Sequence, residues 1–75
     1  MTMFELKQLR RLPPGAERDR LVKYIESVPD PITRRCLELR YREGLPWAEV
    51  ARRIGGGNSE NNVRMRVYRY LRRES

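Results

Sequence analysis

A chain of 75 residues makes one small domain at most, because so short a sequence buries only a modest fraction of its surface and has no room for a large catalytic cleft. Its formal charge of +7 rests on 17 Lys and Arg, of which only Lys7 and Lys23 are lysines, and arginine favours planar, bidentate contact with phosphate or guanine. The single Cys36 excludes an internal disulfide, and the lack of His excludes a His-containing zinc site or a His-based nucleophile pair.

Thr2, Met3, Phe4 and Glu5 match the T-x-x-E capping box, and Phe4, Leu6, Leu9 and Leu12 give the next segment an apolar side, so a first helix of roughly two to three turns is expected. Pro13, Pro14 and Gly15 break it. This break is a hinge within one domain or the end of an arm, which divides the chain into an N-terminal segment, 1–15, and a domain, 16–75. From Ala16 to Val28, Leu21, Val22, Ile25 and Val28 recur at helical spacing while Glu17, Arg18, Asp19, Arg20 and Lys23 stay outside. Pro29, Asp30 and Pro31 form the next break, with Asp30 as N-cap and Pro31 in the first helical position. A third helix then runs to about Arg42. Ile32, Cys36 and Leu39 lie on one side of it, Leu37 and Tyr41 widen its apolar surface, and Gly44 ends it.

Between Gly44 and Leu71 the chain reads as helix, turn, helix. Trp47, Val50, Ala51 and Ile54 fall at i, i+3, i+4 and i+7, with Pro46 in the first turn. Gly55, Gly56 and Gly57 stop that helix, and either Asn58 or Ser59 caps the next, with Glu60 at its positive end. Val63, Val67, Tyr70 and Leu71 should face inward. Asn61, Asn62, Met65, Tyr68, Arg69 and Arg72 point outward, with Arg64 and Arg66 on the flanks. No alternating β-branched run suggests a strand, so the expected fold is all-α: a small domain of about four to five helices ending in a helix-turn-helix.

A helix that enters the major groove reads adenine through Asn or Gln, guanine through Arg and the thymine methyl through apolar contact. Asn61, Asn62, Arg64 and Met65 supply that kit near the start of a recognition helix over about residues 59–72. Arg52, Arg53, Arg66, Arg69 and Arg72 are expected to hold phosphates, joined by Asn58 and Ser59 at the helix start and by Tyr68. Simpler roles stand beside these. The arginines could form a solvated face, Asn61 and Asn62 could serve only as caps, and Tyr68 is divided between phosphate contact and solvent. Trp47 reads as core, and Cys36 as a small buried apolar residue. The triple glycine is not followed by Lys-Ser or Lys-Thr, so no nucleotide site, metal or other cofactor is expected. Nor do paired carboxylates in an apolar setting suggest an enzyme. With no membrane-length apolar run and no signal core, a cytoplasmic protein is expected.

Residues 28–71 resemble region 4 of the sigma-70 family, and more closely the small sigma-region-4-like proteins of phages and prophages. The residues that carry the resemblance are VPDPITRRCLELRYREG, LPWAEVARRIGGGN and SENNVRMRVYRYL. The resemblance implies a helix-turn-helix transcription regulator of phage or prophage origin that binds duplex DNA. It also admits RNA polymerase as a partner and, as the alternative function, a protein-interaction module that engages RNA polymerase or another regulator through the same surface. It further implies that Arg40 pairs with Glu49 to brace the scaffold. Independently of the resemblance, one recognition helix contacts only a few base pairs, so a second copy of the chain is a further candidate partner. Two features depart from the family pattern: Pro46 stands where region 4 usually has a Ser or Thr cap, and the turn from Gly55 to Asn58 is longer.

Overall fold

The capping box forms as expected: Glu5 N donates to Thr2 Oγ1 and Thr2 N to Glu5 Oε1, each at 3.2 Å. In the computed structural model, which describes residues 2–74 with the side chain of Glu74 excepted, this box starts α1, Met3–Lys7. Met1 and Ser75, the outer limits of the two predicted segments, lie outside the described residues. The first helix is shorter than expected, because the chain tightens into a 3₁₀ turn over Leu9–Arg11. Leu6 and Leu9, three residues apart, turn into the core, whereas Phe4 sits two residues from Leu6 and is 73% exposed. The expected placement of Phe4 on the apolar side is therefore corrected, and Met3 packs on the core instead.

After the Pro-Pro-Gly break, α2 spans Ala16–Glu26 and buries Leu21 and Ile25. It ends earlier than the apolar spacing suggested, but Val28 still reaches the core from the following loop. Asp30 caps α3, Pro31–Leu37, by accepting from Thr33 N at 3.0 Å and Thr33 Oγ1 at 2.6 Å. That second bond lets Thr33 be buried, since its hydroxyl keeps a partner away from water. Thr33, Cys36 and Leu37 thus make the inward stripe, and Ile32, expected there, is 40% exposed.

The third helix does not remain regular to Arg42. Over Glu38–Arg42 it widens into a π turn, because Leu45 N takes the carbonyl of Leu39 and Glu43 N reaches back to Glu38 O, both at 3.0 Å. Gly44, at φ 74°, makes the sharp reversal that brings Leu45 into reach. Cys36, Leu37, Leu39 and Tyr41 are all buried, as expected for a segment with neighbours on several sides.

Pro46 directly precedes α4, Trp47–Ile54, and its carbonyl accepts from Glu49 N and Val50 N. Three successive glycines at φ 72°, 64° and 79° then reverse the chain into α5, which runs over Glu60–Glu74, slightly beyond its predicted end. Val50 and Ala51 of α4 meet Val63, Val67 and Leu71 of α5 in a single core shared with Leu6, Leu9, Leu21, Ile25 and Leu37. The architecture is therefore all-α, with five helices and no strand among the described residues. None of these helices is long and apolar enough to cross a membrane.

Candidate nucleic-acid interface

The glycine turn fixes how α5 begins. Asn58 donates to Gly55 O through both its backbone N, at 3.2 Å, and its side-chain Nδ2, at 2.8 Å, which closes the turn. Ser59 is the residue that caps α5: its Oγ accepts from Asn62 N at 3.1 Å and its carbonyl from Val63 N at 3.1 Å. Asn58 and Ser59, both expected to meet phosphate, thus differ. The Asn58 amide is directed into its own turn, while the Ser59 hydroxyl, an acceptor here, keeps its proton for an outside partner.

Along its outer face α5 borders a groove of about 520 Å³ that begins at Asn58 and is closed on one side by Asp30. Asn61, Asn62, Met65, Arg66, Arg69 and Arg73 converge on it. Asn62 and Arg69 are exposed, and Met65 is half-buried. Asn61 Oδ1 accepts from Arg64 NH2 at 2.9 Å, so these two side chains hold each other on the helix surface. Arg64 itself does not line the groove.

Arg66 donates to Asp30 Oδ2 at 2.9 Å and so joins α5 to the start of α3 across 36 residues of sequence. The same oxygen already accepts from Thr33. The Thr33 hydroxyl and backbone N–H, followed by the Arg66 charge, hold the Asp30 carboxyl below its ordinary range. One groove arginine is thereby matched by a carboxylate. No composition argument separates Arg66 from its neighbours, and the Asp30 that neutralises it was legible only as a cap.

Tyr68 occupies another side of α5. It is half-buried, with its ring edge-on to Trp47 at a centroid distance of 6.0 Å and an interplanar angle of 89°. Its expected outward orientation is corrected: it lies about a sixth of a turn from both Met65 and the buried Leu71 on the helix wheel, and Trp47 takes up its ring. Arg72 is exposed on the same flank, beside Met3 and Leu71. Tyr70, expected in the core, is half-buried and borders the groove from its opposite flank. Arg73 was not among the expected site residues, although Asn62, Arg66, Arg69 and Arg73 follow at i, i+4, i+7 and i+11, the spacing of one helical stripe.

On α4, Arg52 and Arg53 share one acid. Arg53 Nε meets Glu49 Oε1 at 3.1 Å, and Arg52 meets the other oxygen. The hydrogen bond from Arg53 and the charge of Arg52 hold the Glu49 carboxyl low. The implied Arg40–Glu49 brace is therefore replaced. Arg40 instead donates to Leu45 O at 3.0 Å and lies over the Trp47 ring, 4.9 Å from its centroid. Trp47 is 8% exposed, a core residue as expected, enclosed by Tyr41, Tyr68 and the Arg40 guanidinium.

The chain matches no family model, no curated protein and no solved structure.

Proposed function

We propose that this protein is a sequence-specific duplex DNA-binding transcription regulator in which α4, the glycine turn and α5 act as a helix-turn-helix. The observation that carries this reading is the convergence of Asn61, Asn62 and Met65 with Arg66, Arg69 and Arg73 on one open groove that runs along a 15-residue helix from its capped end. A major groove admits one such helix, and these side chains match what base edges and flanking phosphates accept.

Within this reading Asn62 is the first candidate for adenine, because it lines the groove and both ends of its amide can turn to a base. Asn61 is held by Arg64 through one lone pair of Oδ1 and keeps its second lone pair and its Nδ2 donors for a base, so the two act together. Met65 offers its side chain to a thymine methyl. Arg69, Arg73, Arg72 and the Arg52–Arg53 pair hold phosphates, with Ser59 at the helix start. One α5 covers only a few base pairs, so a second copy, or RNA polymerase bound alongside, completes the specificity. The sigma-like pattern of α4 and α5 agrees with a phage or prophage regulator of this type.

The test is selection from a random duplex library, followed by binding of the selected site to Asn62→Ala and Arg69→Ala. Asn62→Ala should cost about 1 to 3 kcal/mol and relax preference at one base pair. Arg69→Ala should weaken all sequences alike. No enrichment from the library would refute the reading and leave the protein-interaction alternative.

A further inference from the structure

A second cationic site lies away from the α5 groove. Lys7, Arg10 and Arg11, from the end of α1 and the 3₁₀ turn, surround a concavity of about 470 Å³ with Arg40 of the π turn. Its floor is the buried Leu6 and Tyr41 together with Gly44. The Arg10 guanidinium lies so close over Gly44 that a Cβ there would collide with it. None of the four cations takes part in the ion pairs seen among the described residues, in contrast to Arg20, Arg35, Arg52, Arg53 and Arg66.

Four like charges around one depression repel one another, and an apolar floor strengthens that field relative to open water. The arrangement is unfavourable for the free protein and favourable once an anion is seated. Arg40 cannot swing away to relieve it without breaking its bond to Leu45 O and its stack on Trp47. Trp47 in turn touches Tyr68 of α5, so the concavity is connected by ring contacts to the flank of α5 remote from the Asp30–Arg66 pair. One flank of α5 is thus neutralised by a carboxylate, and the other leads to unpaired cations.

We propose that this concavity is a second phosphate-binding site, which takes a backbone phosphate of the same duplex that α5 reads. The proposal rests on the DNA-binding reading above. It gives the N-terminal segment a role in binding: Arg10 and Lys7 grip the backbone beside the helix-turn-helix, while Leu6 and Leu9 anchor the segment in the core.

The experiment compares the wild type with Arg10→Gln and with Lys23→Gln, a charge-matched control on the exposed face of α2. Each protein is titrated against a labelled random duplex over a range of salt, and circular dichroism checks that each variant is folded. Arg10→Gln should flatten the dependence of log affinity on log salt by about 0.9 and weaken all sequences alike, while Lys23→Gln leaves the slope near wild type. Equal slopes for wild type and Arg10→Gln would overturn the proposal. In parallel, inorganic pyrophosphate is titrated while the fluorescence of Trp47, the single tryptophan, is followed beneath Arg40. A saturable change that Arg10→Gln abolishes supports the site, and its absence overturns it. If the wild type binds pyrophosphate here but no duplex, both the DNA reading and the backbone assignment fail. If it binds duplex with a slope indifferent to Arg10, only the second site fails.

Discussion

The Asp30–Arg66 pair offers the most direct test of how the groove meets DNA. Its consequences can be worked from the charges that are available. Arg64, Arg69 and Arg73 each bring one positive charge on α5, whereas Arg66 is matched by Asp30. Arg52 and Arg53 share Glu49 and together supply one more net charge, and the concavity around Arg10 takes one further phosphate. If about five phosphates are neutralised, log affinity should fall against log salt with a slope near −4.5, a loss of about 500-fold between 50 and 200 mM salt. Asp30→Asn preserves a good N-cap for α3, so the fold should persist, but it removes the carboxylate that occupies Arg66.

With Arg66 released, about six phosphates are engaged, the slope steepens to about −5.4, and affinity at 100 mM salt rises about eightfold if the new contact adds nothing at 1 M. The assay is fluorescence anisotropy on a labelled duplex at four or more salt concentrations, with wild type and variant side by side. An unchanged slope in a folded Asp30→Asn protein would refute the reasoning, because it would mean that Arg66 does not reach a phosphate even when free. A loss of affinity at every salt concentration would be equally damaging. It would make Asp30 a contributor to binding rather than a brake on one arginine.

Three further outcomes follow from the fold. Val67 is fully buried between α5 and the rest of the core, and Val67→Ala should cost about 2 kcal/mol of stability, read as a lower urea midpoint with an unchanged m-value. Ser59→Ala removes the α5 cap and should cost about 1 kcal/mol in the same assay, with DNA affinity falling as the helix start frays. Glu5, Asp30 and Glu49 all have carboxyls held below their ordinary values: Glu5 first by Arg20, Asp30 first by the Thr33 hydroxyl, and Glu49 first by Arg53. Such groups stabilise the fold above their unfolded values near pH 4, and that contribution disappears as pH falls through the lower folded values. The melting temperature should therefore be nearly flat from about pH 7 to 5 and drop below about pH 4, less steeply in Asp30→Asn.

What could be read from the residues depended on whether the relevant partner was near in sequence. The caps at Thr2 and Asp30 were legible because each bond spans three residues, and the cap of α5 was narrowed to Asn58 or Ser59, of which Ser59 makes the bond. The inward stripe of Val50, Ala51, Val63, Val67 and Leu71 was equally clear, since periodicity alone defines it. The π turn was not, because it depends on Leu45 competing for the carbonyl of Leu39, and that competition exists only once Gly44 has reversed the chain. Tyr68 failed for a related reason. A helical wheel puts it beyond the buried stripe, and only the arrival of Trp47 from α4 turns that position into a packed one. Within the candidate site, the groove residues Asn61, Asn62, Met65 and Arg69 could be named from spacing, but the matching of Arg66 by Asp30 spans 36 residues and could not.

The long glycine turn contributes less to the orientation of α5 than the packing of the helix itself. Three consecutive left-handed residues would be strained with side chains, so the turn is held open to glycine by its shape and closed by Asn58 alone. Everything that orients α5 beyond it comes from elsewhere: Val63, Val67 and Leu71 in the core, Arg66 on Asp30 at one flank, and Tyr68 on Trp47 at the other. The helix is thus fixed by packing along its length and by contacts on both flanks, while the turn supplies reach. It follows that a longer turn than the sigma pattern has need not loosen the presentation of Asn61 and Asn62. Their direction is set by the contacts of Val63, Val67 and Leu71 in the core and of Arg66 on Asp30.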